Sequence, residues 1–371
     1  MNNETDIRHM ARALQLAHRG LYTTDPNPRV GCVIVRDGRV AGEGFHVRAG
    51  EPHAEILALR SAGDAVRGAT VYVTLEPCAH HGRTPPCADA LIAAGVGRVV
   101  AAMTDPNPRV AGQGLARVAG AGIETSAGLL EREARALNPG FVSRMERGRP
   151  FVRIKLAMSL DGRTAMASGE SRWITGEAAR HDVQRWRARA GAVLTGIGTV
   201  RADDPGLDVR VPAQALGIGG EVRQPLRVVL DSRLECPPDA RLFSAGGPVL
   251  VLTGETDAAR YLPLQARGAE VLPVTLAGRG VDLSGVMTLL ARREVNELHV
   301  EAGPRLCGAL MEAGLVDELV IYMAPHLMGS TARSLVELGV ETMDERIALE
   351  IGDIRAVGED WRITARPMRT S

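Results

Sequence analysis

The sequence has few aromatic residues and no excess of charge of either sign. Phe, Trp and Tyr together make up 3% of the 371 residues, and 44 basic side chains balance 44 acidic ones. An extended nucleic-acid surface normally shows a basic excess with aromatic side chains among the cations. The composition therefore argues against nucleic acid as a partner.

Long hydrophobic runs are also missing. No segment approaches the ~18 consecutive apolar residues of a membrane helix. The N-terminal segment lacks the unbroken apolar stretch of a signal peptide, because Arg8, His9 and Arg12 lie among its apolar positions at helical spacing. We therefore expect a soluble, cytoplasmic protein with no membrane partner.

Cysteine is scarce, with five residues, which is an odd number. A chain of this length can bury a real core without disulfides and is long enough for two domains. A clustered cysteine pair therefore indicates a metal site or catalysis. Cys78 and Cys87 form such a cluster in the stretch EPCAHHGRTPPC, which also contains His80 and His81.

Strand and helix patterns alternate along both halves of the chain, which predicts sheets flanked by helices. CVIVRDGRVAGEGF predicts a hairpin that turns at Asp37-Gly38. After LNPGFVSRMERGRPF the pattern restarts, and the Arg and Gly residues around 144–150 indicate a domain boundary. The C-terminal RIALEIGDIRAVGEDWRITARPM predicts an antiparallel pair that closes the second sheet. We predict two α/β domains, residues 1–147 and 148–371.

The heptapeptide TDPNPRV occurs twice, at 24–30 and at 104–110. One copy follows a helix pattern and the other a strand pattern, and the downstream sequences differ, so we expect two uses of one turn rather than a duplication. Proline on either side of asparagine fixes the backbone and leaves the amide side chain projecting. For the second copy, with Asn107, we expect a structural turn.

A hydrolytic zinc site needs three protein ligands, an open coordination position and a base that is not a ligand. His53-Ala54-Glu55 and Pro77-Cys78 match the H-x-E and P-C-x-x-C signature of zinc deaminases, except that eight residues, not two, separate Cys78 from Cys87. A closed structural site that uses a neighbouring histidine is the first alternative, but it has no use for Glu55. A redox dithiol is the second, and the spacing is not that of C-x-x-C.

HAE together with VTLEPCAHHGRTPPCADALIAAGVGRVV resembles the deaminase half of the bifunctional riboflavin-biosynthesis deaminase/reductase family. The resemblance implies a cytidine-deaminase-like three-layer α/β/α domain. It also implies Glu55 as the catalytic proton shuttle. The implied zinc ligands are His53, Cys78 and Cys87. The implied substrate contacts are Asn27, His46, His80 and Arg83. For His46, a surface or packing role is the alternative.

The second half lacks the G-x-G-x-x-G fingerprint of an ordinary Rossmann domain. It has two other glycine-bearing turns, LTGIGTVRADDP at 194–205 and VEAGPRLCGAL at 300–310. Each can bring backbone N–H groups to a phosphate at a helix start, and a tight packing turn is the alternative.

Together with KLAMSLDGRTA and GESRWITG, these turns resemble the reductase half of the same family, a dihydrofolate-reductase-like α/β domain that uses NADPH. The resemblance then covers nearly the whole chain. The residues that it implies for the cofactor are Ala157, Trp173, Thr199, Asp203, Ser232, Gly303, Pro304, Arg305, Leu306, Cys307, Gly308 and Ala309. Those that it implies for the substrate are Ser171, Arg187, Leu207, Arg210 and Glu301.

The residues themselves support part of this assignment. In FVRIKLAM, Lys155 projects from the strand face opposite to that of Ile154 and Leu156. A lysine there lies at a cleft or at a sheet edge, and the following SLDG favours the cleft. Lys155 and Asp203 are both candidates for charge stabilisation or proton supply in the reduction.

Three further side chains have two interpretations each. Arg187 and Arg210 hold the substrate phosphate or are solvated surface charges. Trp173 stacks on a ligand or only packs against the protein.

We expect an enzyme that deaminates a phosphorylated diaminopyrimidine and then reduces its ribosyl group to a ribityl chain with NADPH. We also expect a homo-oligomer, a dimer. A tRNA or nucleoside deaminase is the first rival, and it predicts a basic groove or a C-x-x-C pair. A non-catalytic, metal-stabilised ligand sensor is the second, and it predicts that Glu55 has no function.

Overall fold

The structure of the protein is a computed structural model, and it describes residues 4–79, 85–108, 110–278 and 280–368. The chain divides into two units, Met1–Arg149 and Pro150–Ser371. Within the described ranges, no helix combines the length and the apolar character that crossing a membrane requires.

The first unit is built on a five-stranded sheet. Among its described residues, the strands are β1 (Gly31–Arg36), β2 (Arg39–Phe45), β3 (Thr70–Val73), β4 (Arg98–Ala101) and β5 (Glu124–Ala127). The helices are α1 (Glu4–His18), α2 (Ala54–Ala62), α3 (Cys87–Ala94), α4 (Gln113–Gly120), α5 (Glu131–Leu137) and α6 (Pro139–Arg147), with a short 3₁₀ helix at Gly63–Val66.

The strand order of this sheet is β2-β1-β3-β4-β5. β1 runs antiparallel to β2 and β3, whereas β3, β4 and β5 are parallel. The hairpin predicted between β1 and β2 is confirmed, and its turn residues Asp37 and Gly38 have φ values of 51° and 75°. Asp and Gly tolerate this left-handed backbone, which matches the twist of the two strands.

Helices cover both faces of the first sheet. Alternate residues of a strand point to opposite faces, so Val33 and Val35 of β1 join a core with Met10 of α1. Cys32 and Ile34 join a second core that α2, α3 and α4 cover. The predicted three-layer α/β/α architecture is confirmed.

The second unit is built on a larger sheet. Its described helices are α7 (Glu177–Arg189), α8 (Ile197–Asp203), α9 (Leu262–Gln265), α10 (Leu283–Arg292) and α11 (Pro304–Glu312), and 3₁₀ helices lie at Ala213–Leu216, Arg241–Phe243, Ala258–Tyr261 and Met343–Glu345. Its described strands are β6 (Phe151–Ser159), β7 (Arg163–Ala165), β8 (Ala192–Gly196), β9 (Leu226–Leu230), β10 (Val249–Thr253), β11 (Ala269–Pro273), β12 (Leu276–Ala277), β13 (Gly280–Val281), β14 (Glu297–Val300), β15 (Glu318–Ala324), β16 (Arg333–Ser334), β17 (Leu349–Val357) and β18 (Asp360–Pro367).

The nine-stranded sheet of this unit has the order β11-β10-β9-β8-β14-β6-β15-β18-β17. The first seven strands in this order, from β11 at the edge through β15, are parallel to one another. β18 runs antiparallel to both β15 and β17. The antiparallel pair predicted at the C terminus is confirmed, since β17 and β18 close one end of the sheet. β6 lies between β14 and β15, so the alternative that placed Lys155 at a sheet edge is wrong.

Candidate metal centre and reductase site

Three side chains of the first unit converge as a possible metal-binding group. One donor atom from each of His53, Cys78 and Cys87 lies within 4.8 Å of the other two. His53 Nδ1 is 3.7 Å from Cys78 Sγ and 3.3 Å from Cys87 Sγ. This was the only such group found among the residues that the structure describes.

Helix starts bring these donors together. His53 is the N-cap residue of α2, and Cys87 is the first residue of α3. Cys78 follows β3 and is tied to α3 through its backbone, because its C=O accepts a 3.1 Å hydrogen bond from Ala88 N–H. The Cys87 N–H in turn donates to Cys78 Sγ over 3.2 Å. These contacts therefore bring the two cysteines together although eight residues separate them in the sequence.

The chemistry of this donor set fits zinc. Both cysteines are free thiols. Hydrogen bonding with Cys87, and also with His53, lowers the pKa of the Cys78 thiol to about 4. Zinc binds the thiolate form, and a catalytic zinc keeps three protein ligands with one position open.

Glu55 lies in the first turn of α2, outside the donor set. Its side chain is buried, with the residue 3% exposed. Burial raises the pKa of its carboxyl to about 7, against the opposing effect of the nearby His53. A carboxyl in this state can both accept and release a proton near neutral pH.

The first TDPNPRV copy brings Asn27 to His46. Asn27 Nδ2 is 3.0 Å from His46 Nε2, and His46 Nδ1 is 3.2 Å from the Pro52 C=O. The His46 ring lies 5.5 Å from the His53 ring in an edge-on arrangement. His46 is buried, so its interpretation as a surface histidine is wrong.

The second copy forms the structural turn that was predicted. Asn107 N–H donates to Asp105 Oδ1 over 2.8 Å, and its C=O accepts from Val110 N–H over 2.9 Å. Two other predicted substrate contacts, His80 and Arg83, lie outside the described residues.

A hydrolytic deaminase requires a water molecule activated by a metal ion and, next to it, a carboxylate that exchanges protons. The site and the three-layer sheet therefore define the first unit as a zinc deaminase of the cytidine deaminase type.

The two glycine-bearing turns of the second unit lie side by side. Gly196 caps α8 after β8, and Gly303 caps α11 after the neighbouring β14. A Cβ atom at Gly196 would lie 3.3 Å from Leu306, and one at Gly303 would lie 3.9 Å from Thr199 Oγ1. Both turns therefore occupy the carboxyl ends of adjacent parallel strands, where ligands of such sheets bind.

The predicted cofactor segment from Gly303 to Ala309 is a helix start rather than a loop. Gly303 and Pro304 at its beginning are partly buried and Arg305 is exposed, whereas Cys307 is fully buried in the core. Gly308 packs against the chain, since a Cβ there would lie 1.7 Å from the Glu337 C=O. Cys307 and Gly308 are therefore packed inside the unit, and their role as cofactor contacts stays a prediction.

Arg187 and Glu301, both predicted substrate contacts, bind each other. Arg187 Nε and Nη2 donate to the two carboxylate oxygens of Glu301 over 2.5 and 2.9 Å, and Nη1 donates to the Asp208 C=O over 2.9 Å. Burial acts to raise the pKa of Glu301, but Arg187 holds it well below the usual value. Arg187 is buried, so its interpretation as a solvated surface charge is wrong.

Lys155 lies near this ion pair. Burial lowers the pKa of its ammonium group, while the charges of Glu301 and Arg187 act in opposite directions on it. Asp203, at the end of α8, also contributes to the field at Lys155 and accepts a 3.3 Å hydrogen bond from Ser171 Oγ. The structure therefore groups Lys155, Asp203, Ser171 and the Arg187–Glu301 pair around the middle of β6 and the carboxyl ends of β8 and β14.

The remaining predicted residues differ in exposure. Trp173 is 69% exposed, with the guanidinium of Arg180 over its ring. Arg210 is exposed, with its Nε 4.0 Å from Asp208 Oδ1. Leu207 has a buried side chain and a φ of 54°, so a substrate contact from it must come from its backbone. Ala157 lies in β6, and Ser232 follows β9, both partly buried.

Two buried polar residues that lie close to these sites were not among the predicted site residues. His299 lies in β14, fully buried, with Nε2 3.5 Å from Glu301 Oε1. Alternation in ELHVE, which places Glu297, His299 and Glu301 on one strand face, was the available signal. Glu76 lies directly after a buried strand and before Pro77-Cys78, and an acidic residue at such a position was the signal there.

Two family models match the chain. The cytidine and deoxycytidylate deaminase zinc-binding region matches residues 3–103, and the RibD C-terminal domain matches residues 150–363. The riboflavin biosynthesis protein RibD of Escherichia coli is 53% identical over 361 residues, covering 96% of this chain and 97% of its own. That of Haemophilus influenzae is 48% identical over 368 residues, covering 98% and 97%.

Solved structures agree over both units. Acinetobacter baumannii RibD, form 1, has a TM-score of 0.91 and 46% identity over 99% of both chains. A deaminase/reductase from Thermotoga maritima has a TM-score of 0.85 and 32% identity over 98% of this chain and 99% of its own.

The chain belongs to the RibD family of riboflavin biosynthesis. It is a bifunctional enzyme with a zinc-dependent deaminase and an NADPH-dependent reductase, and its substrate is a pyrimidine derivative. The predicted family, fold classes, activities and cofactors are confirmed, and both rival functions are wrong.

Proposed function

We propose that His53, Cys78 and Cys87 hold the catalytic zinc and that Glu55 carries the proton in deamination. Zinc, when bound, lowers the pKa of a water molecule toward neutrality. Glu55 takes a proton from the attacking water and delivers it to the amino group, which leaves as ammonia while the ring carbon becomes a carbonyl. The observation that supports this most directly is a buried carboxyl beside the donor set that is not part of it.

The substrate that we propose is 2,5-diamino-6-(5-phosphoribosylamino)pyrimidin-4(3H)-one, which deamination converts to 5-amino-6-(5-phosphoribosylamino)uracil. The T. maritima structure is described as a deaminase and reductase of these compounds. Asn27 and His46 are proposed to bind the pyrimidine, since their hydrogen bond lies beside His53. His80 and Arg83 are proposed to contact the phosphate, as the sequence resemblance implies.

Substitution Glu55→Gln tests the deaminase assignment. The amide keeps the shape but cannot exchange the proton, so we expect ammonia release to fall at least about 100-fold, the lower limit for general acid–base catalysis. Zinc content and NADPH oxidation on pre-deaminated substrate should stay at wild-type levels. Normal ammonia release from a folded variant would contradict the assignment.

For the second unit, we propose that NADPH binds at the paired helix starts after β8 and β14 and transfers hydride to C1 of the opened ribose. Lys155 and Asp203 stabilise charge or supply the proton that completes the reduction. The proposed cofactor contacts are Ala157, Trp173, Thr199, Asp203, Ser232, Gly303, Pro304, Arg305, Leu306 and Ala309. Cys307 and Gly308 complete this set, and their packing holds the helix in place.

We propose that Arg210 binds the substrate phosphate and that the Arg187–Glu301 pair, with Ser171 and the Leu207 backbone, shapes the rest of the pocket. Arg187 already directs its donors to Glu301 and Asp208, whereas the guanidinium of Arg210 is exposed. Substitution Arg210→Ala should therefore raise KM of the reductase with little change in kcat. An unchanged KM would contradict the role.

We further propose that residues 1–147 form the deaminase domain and 148–371 the reductase domain, in a cytoplasmic homodimer. Five free cysteines suit a reducing compartment. The outer face of β17 and β18 exposes Ile351, Ile354 and Trp361, which register pairing places on one side of the sheet. Ile354→Asp should shift the sedimentation coefficient from dimer to monomer, and an unchanged coefficient would argue against this interface.

A further inference from the structure

Glu76 is a buried carboxylate on which four backbone N–H groups converge. Its Oε1 accepts hydrogen bonds from Gly114 N–H at 2.8 Å and Leu115 N–H at 3.1 Å. Its Oε2 accepts from Gly112 N–H at 2.9 Å and Asp105 N–H at 3.0 Å. The residue is 4% exposed, so these bonds are sheltered from water.

The donors come from a distant part of the first unit. They belong to the loop around the second TDPNPRV copy and to the first turn of α4, whereas Glu76 immediately precedes Pro77-Cys78. The Glu76 N–H also donates to the Met103 C=O over 3.0 Å. Side chain and backbone therefore both fix Glu76 to the segment that follows β4.

The same contact holds Pro77. A Cβ atom at Gly114 would lie 1.8 Å from the Pro77 C=O, so the start of α4 packs directly on the backbone next to Cys78. This close approach requires glycine, and the hydrogen bonds to Glu76 keep the two segments in place. Cys78 then has its backbone C=O bonded to Ala88 N–H and its Sγ beside Cys87 N–H.

We infer that Glu76 is a positioning residue of the zinc centre, which holds Cys78 at the correct distance from Cys87 and His53. The inference rests on the proposed role of Cys78 as a ligand. It also gives the second heptapeptide copy a function, since its Asp105 supplies one of the four N–H groups to Glu76. A cap of α4 with no effect on the metal is the competing explanation.

The chemistry of the site requires a carboxylate. Each oxygen accepts two N–H groups, and an ionised acceptor makes hydrogen bonds about twice as strong as those of a neutral one. In Glu76→Gln the amide nitrogen would face backbone N–H groups, donor against donor. Glu76→Asp keeps the charge but is one methylene shorter, so it should restore part of the function.

The matched control is Asp6→Asn. Asp6 is also a buried carboxylate of the first unit, with hydrogen bonds from Tyr72 and Arg98. These contacts involve α1, β3 and β4 rather than the cysteine segment. The control therefore reports the effect of weakening the unit without moving Cys78.

The test compares zinc release to a chromogenic chelator, the thiolate-to-cobalt absorption of the Co²⁺-substituted protein and deaminase kinetics at a temperature where all variants are folded. Loss of outer ligand support typically costs about 10- to 100-fold in metal affinity or activity. We expect Glu76→Gln to release zinc at least about tenfold faster than wild type, with an altered cobalt spectrum. Glu76→Asp should be intermediate, Asp6→Asn should match wild type, and reductase activity should be unchanged throughout.

The inference is overturned if Glu76→Gln, or Glu76→Asp where the glutamine variant does not fold, matches Asp6→Asn in zinc release and cobalt spectrum. A parallel Cys78→Ser sample distinguishes the ligand assignment of Cys78 from the positioning role of Glu76. Zinc retained by Cys78→Ser contradicts the ligand assignment, whereas zinc lost there but held normally by the Glu76 variants contradicts only the positioning role.

Discussion

Two buried glutamates of this protein have pKa values that are shifted in opposite directions. Burial raises the pKa of the Glu55 carboxyl to about 7. Glu301 is also buried, but the bidentate contact with Arg187 holds its pKa well below the usual value. The surroundings of the same residue type therefore raise its pKa in one unit and lower it in the other.

Glu301→Gln should expose the difference. Removing one partner of a buried ion pair leaves the guanidinium of Arg187 without a counter-charge, which typically costs about 3–5 kcal/mol. We expect the free energy of unfolding of the second unit to fall by that amount and reductase activity to be lost, while deamination continues. Chemical denaturation followed in parallel with both activities measures this.

The control is Glu270→Gln, which breaks the more exposed pair with Arg293 in the same unit. An exposed pair contributes about 0–1 kcal/mol. Equal losses of stability in the two variants would show that the Arg187–Glu301 pair contributes no more to stability than an exposed ion pair does.

At the scale of elements, helix α2 carries His53 and Glu55 and packs closely on strand β2. Gly44 makes this approach possible, because a Cβ atom there would lie 2.4 Å from the Ala54 C=O. The start of α2, which presents both functional side chains, therefore depends on a small residue in the neighbouring strand.

Gly44→Ala should displace that helix start. Overpacking of this kind typically costs about 1–3 kcal/mol, and we expect zinc content and deaminase activity to fall together. Gly120→Ala is the control, because nothing lies within 4 Å of a Cβ atom at the end of α4. A Gly44→Ala protein with normal zinc content and deamination would contradict the close packing.

Local patterns predicted many of these elements. Alternating apolar residues predicted the β1–β2 hairpin and the C-terminal antiparallel pair, and H-x-E with Pro-Cys indicated a metal site. The contacts of Glu76 and the pairing of Arg187 with Glu301 were not predictable in this way, since they join residues far apart in sequence. Such contacts depend on tertiary packing, which cannot be predicted from the spacing of residues within a short segment.

At the scale of the whole molecule, each unit has its own buried cores and its own site. In the first unit, the spacing of H-x-E and Pro-Cys indicated a metal site, and the resemblance to a family supplied its ligand set. In the second unit, the glycine turns lack a specific fingerprint, and the cofactor was indicated by resemblance to a family. The two chemistries should therefore respond separately to substitution.

The measurement that tests the central claim most directly is the zinc content, ammonia release and NADPH oxidation of Cys78→Ser, with Cys32→Ala as a cysteine control for zinc content. Cys32 is buried in β1 and is not part of the donor set. We predict that Cys78→Ser lacks zinc and releases no ammonia, yet oxidises NADPH normally on pre-deaminated substrate, while Cys32→Ala keeps its zinc. Full zinc content and normal ammonia release from Cys78→Ser would contradict the account.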